Sequence, residues 1–214
     1  YNMAFATIDV TKGITGTIAT ANLPTIPVTK GGTGLASGTS GQFLKFTGST
    51  TVASAAVDGN KITEYDNWRV TANFQGDAVP ISSNWSRATG AFEKIGTGLS
   101  ESSGIFSFPS TGKYLVMTGW RGFSTAPDSR YNELEISVTE NNSSYTTRAS
   151  TSQFIKIVSA NTYAECSTQC LIDVTDTSNV KFKIQLSVEN NNIYSEGDVS
   201  MNRLYMTCMR IGDT

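Results

Sequence analysis

The stretch that decides the fold is NVKFKIQLSVEN, residues 179–190, in which apolar and polar side chains alternate strictly. Five apolar residues share one face of this segment: Val180, Phe182, Ile184, Leu186 and Val188. Successive side chains of a β-strand point to opposite faces, so the pattern predicts a strand with one buried and one solvated face. Residues 133–139 alternate in the same way and predict a second such strand.

Two other segments, residues 113–121 and 201–211, are apolar at both odd and even positions. A strand of this kind is covered on both faces, and one sheet of a sandwich covers only one of them. Because we expect no helices, the second cover is predicted to be another copy of the chain. The candidate interface residues are Leu115, Met117, Tyr205, Met209 and Ile211. The alternative is that loops of the same chain fold over this sheet.

Strand-like segments recur at short intervals through residues 64–214, separated by clusters of glycine, proline, asparagine and aspartate. This spacing is typical of an all-β, antiparallel sandwich or jelly roll. The predicted strands lie near residues 69–75, 91–95, 104–108, 112–121, 131–140, 152–159, 163–174, 179–189 and 201–211. We therefore predict that residues 64–214 form one globular domain.

Residues 1–63 have a different composition, rich in glycine, threonine, alanine and serine and poor in aromatic side chains. They include VTKGGTGL at residues 28–35 and GQFLK at residues 41–45. Such a segment cannot bury enough apolar surface to order itself alone. Its regularly placed apolar residues predict an extended shaft in which several chains wind together, and a flexible linker is the alternative. Since the sequence starts at Tyr1, we expect it to be a piece or processed form of a longer protein.

The 214 residues carry a formal net charge of −2, contain no histidine and include three cysteines. Without a basic tract, nucleic-acid binding through phosphate neutralisation is not expected, and no apolar run is long enough to predict membrane insertion. The absence of histidine removes the usual general base and the commonest metal ligand. An odd cysteine count argues against a disulfide framework. Cys166, Cys170 and Cys208 are predicted to be small buried groups in a chain folded in a reducing cytoplasm.

Catalysis is not predicted from this sequence. Acidic residues are sparse and spread over different predicted strands and loops, whereas glycan cleavage needs two carboxylates in one cleft. We therefore predict no catalytic residues and no cofactor. Glu196 and Asp198 are weak candidates for a calcium site, because they supply hard oxygen ligands but without the spacing of an EF-hand loop.

Three polar loops, residues 124–131, 139–148 and 189–198, are predicted to contact a partner. Tyrosine rings beside amide and hydroxyl groups suit saccharides, which need both stacking and hydrogen bonds. An ordinary solvated connection is the alternative for each loop. The candidate receptor-binding residues are Tyr145, Arg148, Asn142, Arg130, Asp128, Tyr194 and Asn191.

The segment GIFSFPSTGKYLV at residues 104–116, preceded by FEKIG at residues 92–96, resembles the signature of C1q/TNF-like jelly-roll domains. That signature is an aromatic strand, then Gly-x-Phe near a proline, then Gly-x-Tyr opening the next strand. Residues 204–211, followed by Gly212, are similar to the last strand of phage C1q-like domains. The resemblance implies a homotrimer formed through one sheet of each jelly roll.

The same resemblance implies which strands share a sheet. It places residues 113–121 and 201–211 in the inner sheet, at the trimer contact, and residues 131–140 and 179–189 in the outer sheet. This allocation agrees with the two kinds of alternation described above.

Residues 28–35 resemble the GGTGL-type repeats of phage and viral fibre proteins. Together the two resemblances imply a virion fibre protein, assembled in the host cytoplasm, whose N-terminal region contacts other virion proteins. Its C-terminal knob is then expected to bind a host cell-surface glycan or protein. The alternatives are a purely structural capsid-decoration or appendage-cap protein, a secreted or surface C1q-like lectin unrelated to virions, and a glycan depolymerase.

Overall fold

The computed structural model describes residues 39–49, 51–55, 62–90 and 94–214. The chain divides into two compact units, Tyr1–Lys61 and Ile62–Thr214. The GGTGL-type segment at residues 28–35, and residues 91–93 of a predicted strand, lie outside the described residues. The described part of the chain contains fourteen β-strands and no α-helix.

Two strands belong to the first unit and twelve to the second. In the first unit, β1 (Phe43–Gly48) and β2 (Thr51–Ala55) form an antiparallel hairpin. The strands of the second unit are β3 (Tyr65–Val70), β4 (Phe74–Gln75), β5 (Trp85–Arg87), β6 (Ser100–Ser102), β7 (Ile105–Ser107), β8 (Gly112–Ser124), β9 (Ser129–Thr139), β10 (Thr146–Ile155), β11 (Thr162–Val174), β12 (Lys181–Val188), β13 (Tyr194–Ser195) and β14 (Tyr205–Gly212).

The strands of the second unit form two antiparallel sheets. One sheet, called the β9 sheet, has the order β10-β9-β12-β7-β6. The other, called the β8 sheet, has the order β4-β13-β8-β14-β3-β5, and β11 pairs with the free edge of β8. The predicted allocation is confirmed, because residues 113–121 and 201–211 share the β8 sheet while residues 131–140 and 179–189 share the β9 sheet.

The core lies between the two sheets and is built from the apolar face of each strand. Phe106 stands at its centre, with ring centroids 5.7 Å from Trp68, 5.2 Å from Trp85 and 5.1 Å from Phe182. Full burial of a phenylalanine ring, as for Phe106 and Phe182, contributes about 1.5–3 kcal/mol. The core faces predicted from the alternation are confirmed by the burial of these residues: Tyr114, Val116, Trp120, Leu134, Ile136, Val138, Val180, Phe182, Ile184, Leu186, Val188, Leu204, Met206 and Cys208.

The face of the β9 sheet predicted to be solvated is partly covered. Thr139 and Ser137 are buried there, as is Gln185. The turn after β9 folds back onto Thr139, whose hydroxyl accepts the backbone N–H of Ser143 at 3.2 Å. Gln185 donates to the Glu135 carboxylate at 3.1 Å. Burial of these polar side chains is tolerated because neighbouring polar groups form hydrogen bonds with them.

The predicted strand at residues 152–159 is wrong at both ends. β10 starts at Thr146, because its backbone pairs with β9 from that residue, which lies opposite Val138. The sequence near Thr146 shows no alternation of apolar and polar residues that would predict a strand. β10 stops at Ile155, and the N–H of Ile157 then donates to the Asp128 carboxylate at 2.8 Å instead of to a strand. The predicted strand at 69–75 is divided into β3 and β4. Ile95, the last residue of the strand predicted at 91–95, forms an isolated β-bridge with Tyr65.

A buried carboxylate joins β3 to β5 and to the segment before β6. Asp66, which is 2% exposed, accepts hydrogen bonds from Trp68 Nε1 at 2.9 Å and Leu99 N at 2.8 Å. Arg87 Nε lies 2.9 Å from its Oδ1, and the guanidinium also lies 4.6 Å from the centroid of the Trp68 ring. A buried charge of this kind is tolerated because it is both paired and hydrogen-bonded.

Replacing this carboxylate by an amide tests its role. We expect Asp66→Asn to lower the free energy of unfolding by about 2–3 kcal/mol, because buried donors lose a charged acceptor while the packing volume is kept. The measurement is urea unfolding followed by tryptophan fluorescence at one fixed chain concentration. Asp213→Asn, which removes an exposed carboxylate paired with Arg210, is the control and should show no measurable change. Equal stability of the two variants would contradict this account.

Candidate functional site

The face of the β8 sheet that points away from the core carries a row of apolar side chains. Register pairing places Tyr65 opposite Met209, Met209 opposite Leu115, and Leu115 opposite Leu171. Leu171 is 55% exposed and the other three are partly exposed. Four adjacent strands thus present a continuous apolar stripe that the facing β9 sheet does not cover.

A second row, at the other end of the same face, is aromatic. Tyr194 stacks on Phe123 with centroids 4.9 Å apart and an interplanar angle of 4°, and Phe123 contacts Tyr163 at 5.4 Å. The Arg121 guanidinium lies 4.7 Å from the centroid of the Tyr163 ring. It also forms ion pairs with Glu196 at 3.1 Å and Glu165 at 3.3 Å. Arg203 lies 3.9 Å from the same Glu196 carboxylate, so two positive and two negative side chains pair within the chain here.

Between these rows, Met117 and Tyr205 continue the exposed face. Met117 lies opposite Thr207 and Gln169 in the two neighbouring strands. The Tyr205 ring lies over Gly119, where an added Cβ would come within 2.6 Å of its Cε1. A shallow groove of about 280 Å³ runs beside Tyr205 and is lined also by Arg121, Glu165 and Ser167. A larger residue in place of Gly119 would force the Tyr205 ring to move.

Four of the five predicted interface residues, Leu115, Met117, Tyr205 and Met209, lie on this one face. Ile211 is 55% exposed and lies at an irregularity where β14 changes register against β8. Near β3 the chain itself covers the face, and Arg69 there donates to the Val199 carbonyl. The role of these residues in subunit contact stays a prediction. The sequence alternation did not identify Tyr163 and Leu171 as members of this face. Both belong to the odd-numbered residues of β11, which point away from the core.

Six of the seven predicted receptor-binding residues divide into two groups at opposite ends of the sandwich. Asp128 and Arg130 lie at the start of β9, whereas Asn142 and Tyr145 lie in the turn after its end. β9 contains eleven residues, so the two groups are separated by roughly 30 Å. One small ligand cannot contact both groups in a single chain.

At the start of β9, two ion pairs hold the loops together. The Asp128 carboxylate accepts from Lys156 Nζ and from the backbone of Ile157, and these hydrogen bonds lower the pKa of Asp128. The Glu189 carboxylate accepts from the backbone N–H and from Nε of Arg130, which lowers the pKa of Glu189. Asn190 Nδ2 donates to the Asp128 carbonyl at 3.4 Å, and the neighbouring Asn191 is exposed.

At the end of β9, the turn is held by its own side chains. Asn142 adopts a φ of 55°, and its N–H donates to the Asn179 carbonyl at 3.0 Å. Arg148 pairs with Glu140 at 2.7 Å. Lys183 Nζ lies 4.5 Å from the centroid of the Tyr145 ring, and burial raises the pKa of Tyr145. One face of this ring is therefore already occupied by a cation of the same chain.

Three predicted site residues have surroundings that the sequence did not indicate. Tyr194 lies in β13 rather than in a loop, and it belongs to the aromatic row of the β8 sheet. Glu196 is engaged by Arg121, and Asp198 accepts from the backbone N–H groups of Ser200 at 2.7 Å and Met201 at 2.9 Å. These hydrogen bonds lower the pKa of Asp198, those from Ser200 most. Within the described ranges, no three acidic or cysteine side chains gather as metal ligands.

Two solved structures share this fold. Eiger TNF from S. frugiperda matches with a TM-score of 0.55 at 10% identity, over 72% of this chain and 96% of that one. Murine APRIL, in a crystal structure at pH 5.0, matches with a TM-score of 0.50 at 10% identity, over 69% and 98% of the two chains. The chain has the TNF-like jelly-roll fold. No protein-family model and no curated protein matches it in sequence.

No helix in the described part of the chain is long and apolar enough to cross a membrane.

The three cysteines are free thiols in the β8 sheet and its edge strand. Cys166 and Cys170 lie on the core side of β11, and burial raises the pKa of each to about 11. Burial also raises the pKa of Cys208, which is 2% exposed in β14. Because the thiolate is the nucleophile, these groups are unreactive near neutral pH.

Thiol labelling tests this assignment. We expect Ellman's reagent at about pH 8 to label none of the three cysteines in the folded protein at a rate comparable to that of a free thiol. A thiol with a pKa of about 11 is only about 0.1% ionised at that pH. All three should react rapidly once denaturant is added. Rapid labelling of Cys166 or Cys170 in the native protein would contradict it.

Proposed function

We propose that this chain is a homotrimeric virion fibre protein, assembled in the host cytoplasm, whose C-terminal domain binds a host cell-surface receptor during attachment. The observation that carries the proposal is the exposed apolar face of the β8 sheet. The resemblance of residues 28–35 to fibre repeats, and of residues 92–116 to C1q/TNF-like domains, supports the viral setting. Residues 1–63 form the shaft in this proposal, and residues 64–214 form the knob.

The size of the exposed face suits a stable subunit contact. β8 and β11 have thirteen residues each, β14 has eight and β3 has six; at about 3.3 Å per residue and about 4.8 Å between strands, they give a face of about 600 Å². A stable interface buries about 800 Å² on each partner, so this face supplies most of the area that one contact needs. The apolar row through Leu115 supplies surface whose removal from water is favourable.

Charges on this face do not oppose association. Arg121 pairs with Glu196 and Glu165, and Lys113 lies 3.6 Å from Asp173. With Arg203, which lies 3.9 Å from Glu196, these are three positive and three negative side chains, so a second copy would meet ion pairs that are neutral overall. It would also meet the aromatic row of Tyr194, Phe123 and Tyr163. The cost of taking these charges out of water is offset by their mutual attraction.

Receptor binding in this proposal is non-covalent and needs no cofactor. Three identical knobs on one fibre present three copies of each loop group, so several weak contacts act together through avidity. The ligand class that we favour is a cell-surface glycan, because the loops combine ring faces with amides, hydroxyls and paired charges. The N-terminal region contacts other virion proteins in this proposal.

A charge placed in the apolar row tests the trimer. We expect the wild-type protein to have three times the mass of one chain in solution, and Leu115→Glu to be monomeric, because the trimer would bury unpaired carboxylates. Mass is measured by light scattering coupled to gel filtration. Ser107→Glu, which adds the same charge on the β9 sheet opposite Lys181, is the matched control and should stay trimeric. A monomeric wild-type protein refutes the assembly.

Cell binding tests the attachment role. Fluorescent wild-type protein should label host cells and reduce infection when it is added first. The monomeric Leu115→Glu variant should label them about 100-fold more weakly, because avidity is lost. A protein that neither labels cells nor competes with infection is a structural decoration instead. Release of reducing ends from host polysaccharide would favour a depolymerase.

A further inference from the structure

We propose that the face of the β9 sheet that points away from the core carries a binding platform for a neutral saccharide, formed by Tyr131 and Phe154 with Arg130 at its side. This inference rests on the proposed function, because it assigns the receptor-binding site and the ligand class. It selects the loop group at the start of β9 over the group at its end. Tyr131 ends one of the loops predicted from the sequence to contact a partner, but neither Tyr131 nor Phe154 was named there as a candidate binding residue.

The platform is built by a β-bulge. From Ser129 to Asn132, β9 advances three residues, whereas its partner β10 advances only two, from Gln153 to Ile155. One residue of β9 is therefore extra, and both Arg130 and Tyr131 oppose Phe154. Bulges of this kind re-aim side chains, and they are over-represented beside functional sites.

The residues flanking the bulge show which way its side chains point. Ser129, Asn132 and Ile155 are at most 2% exposed and belong to the core side. Phe154, next to Ile155 in an alternating strand, is 63% exposed, and Tyr131 is 42% exposed. Two aromatic rings are thus held open to solvent on the polar face of a sheet that buries its apolar residues on the other side.

The rim of the platform offers charged donors and acceptors in fixed positions. Glu189 holds Arg130 through both the backbone and the guanidinium, and Lys156 holds Asp128. Each carboxylate keeps free lone pairs, and the Arg130 and Lys156 side chains are 84% and 72% exposed, which leaves N–H groups open to solvent. The two positive and two negative charges cancel, so the rim favours a neutral ligand over an acidic one.

A pyranose ring matches this arrangement. It has an apolar C–H face that stacks on aromatic rings and a rim of hydroxyls that hydrogen-bonds to charged and amide groups. A protein partner would require a broader apolar centre, whereas the neighbours of Phe154 and Tyr131 on this face are Ser152, Glu133 and Ser187. At the other end of β9, Lys183 already covers a face of the Tyr145 ring.

The test uses the trimeric protein and saturation-transfer NMR. The probes are the methyl glycosides of glucose, galactose, mannose and N-acetylglucosamine, with the methyl glycoside of N-acetylneuraminic acid as the acidic comparison. We expect at least one neutral glycoside to bind the wild-type protein. Phe154→Ser and Tyr131→Ser should each weaken that binding about tenfold or more, because each removes a stacking ring. Phe154→Tyr should retain it, which separates loss of the ring from loss of folding.

Val199→Ser is the matched control, because Val199 is 78% exposed on a loop outside the platform, and binding should be unchanged. If the wild-type protein labels host cells but binds no neutral glycoside, or binds only the acidic one, the platform is refuted while the attachment role stands. If Phe154→Ser binds as tightly as the wild-type protein, the platform is also refuted. If the wild-type protein labels no host cells, the attachment role itself fails.

Discussion

β8 is hydrogen-bonded on both edges, and the rest of the second unit depends on that constraint. All thirteen of its residues pair with β11 on one side, while β14 and β13 pair with it on the other. A strand held in this way cannot shift by one residue without exchanging its two faces. Trp120 and Tyr114 therefore stay in the core, and Leu115 and Met117 stay on the opposite face.

Two glycines allow this strand to hold large side chains on both faces. The Trp120 ring lies over Gly122 on the core side, where an added Cβ would come within 2.1 Å of it, and its Nε1 donates to Ser195 Oγ at 2.8 Å. Tyr205 lies over Gly119 on the other side. Each ring occupies the space that a side chain at the glycine position would need. The close fit positions Trp120 in the core and Tyr205 on the exposed face.

The two sheets have separable roles in the proposed protein. The outward face of the β8 sheet carries an apolar row and an aromatic row, with its charges paired internally, and suits contact with identical subunits. The outward face of the β9 sheet is polar and hydrogen-bonded, apart from the exposed rings of Tyr131 and Phe154. Self-association and ligand binding then use different surfaces, so three ligand sites remain accessible when the trimer forms. Avidity requires this separation.

The sequence by itself determined the fold class, and for four strands it determined the core face and the division between sheets, because period-two alternation is a local property that each strand carries alone. Only the tertiary structure decided the register. The extra residue at Arg130 and Tyr131, the pairing that puts Tyr194 on Phe123, and the placement of Lys183 on Tyr145 all join segments distant in sequence. No local pattern records which residue of one strand faces which residue of another, since that depends on the backbone hydrogen bonds formed when the sheets assemble.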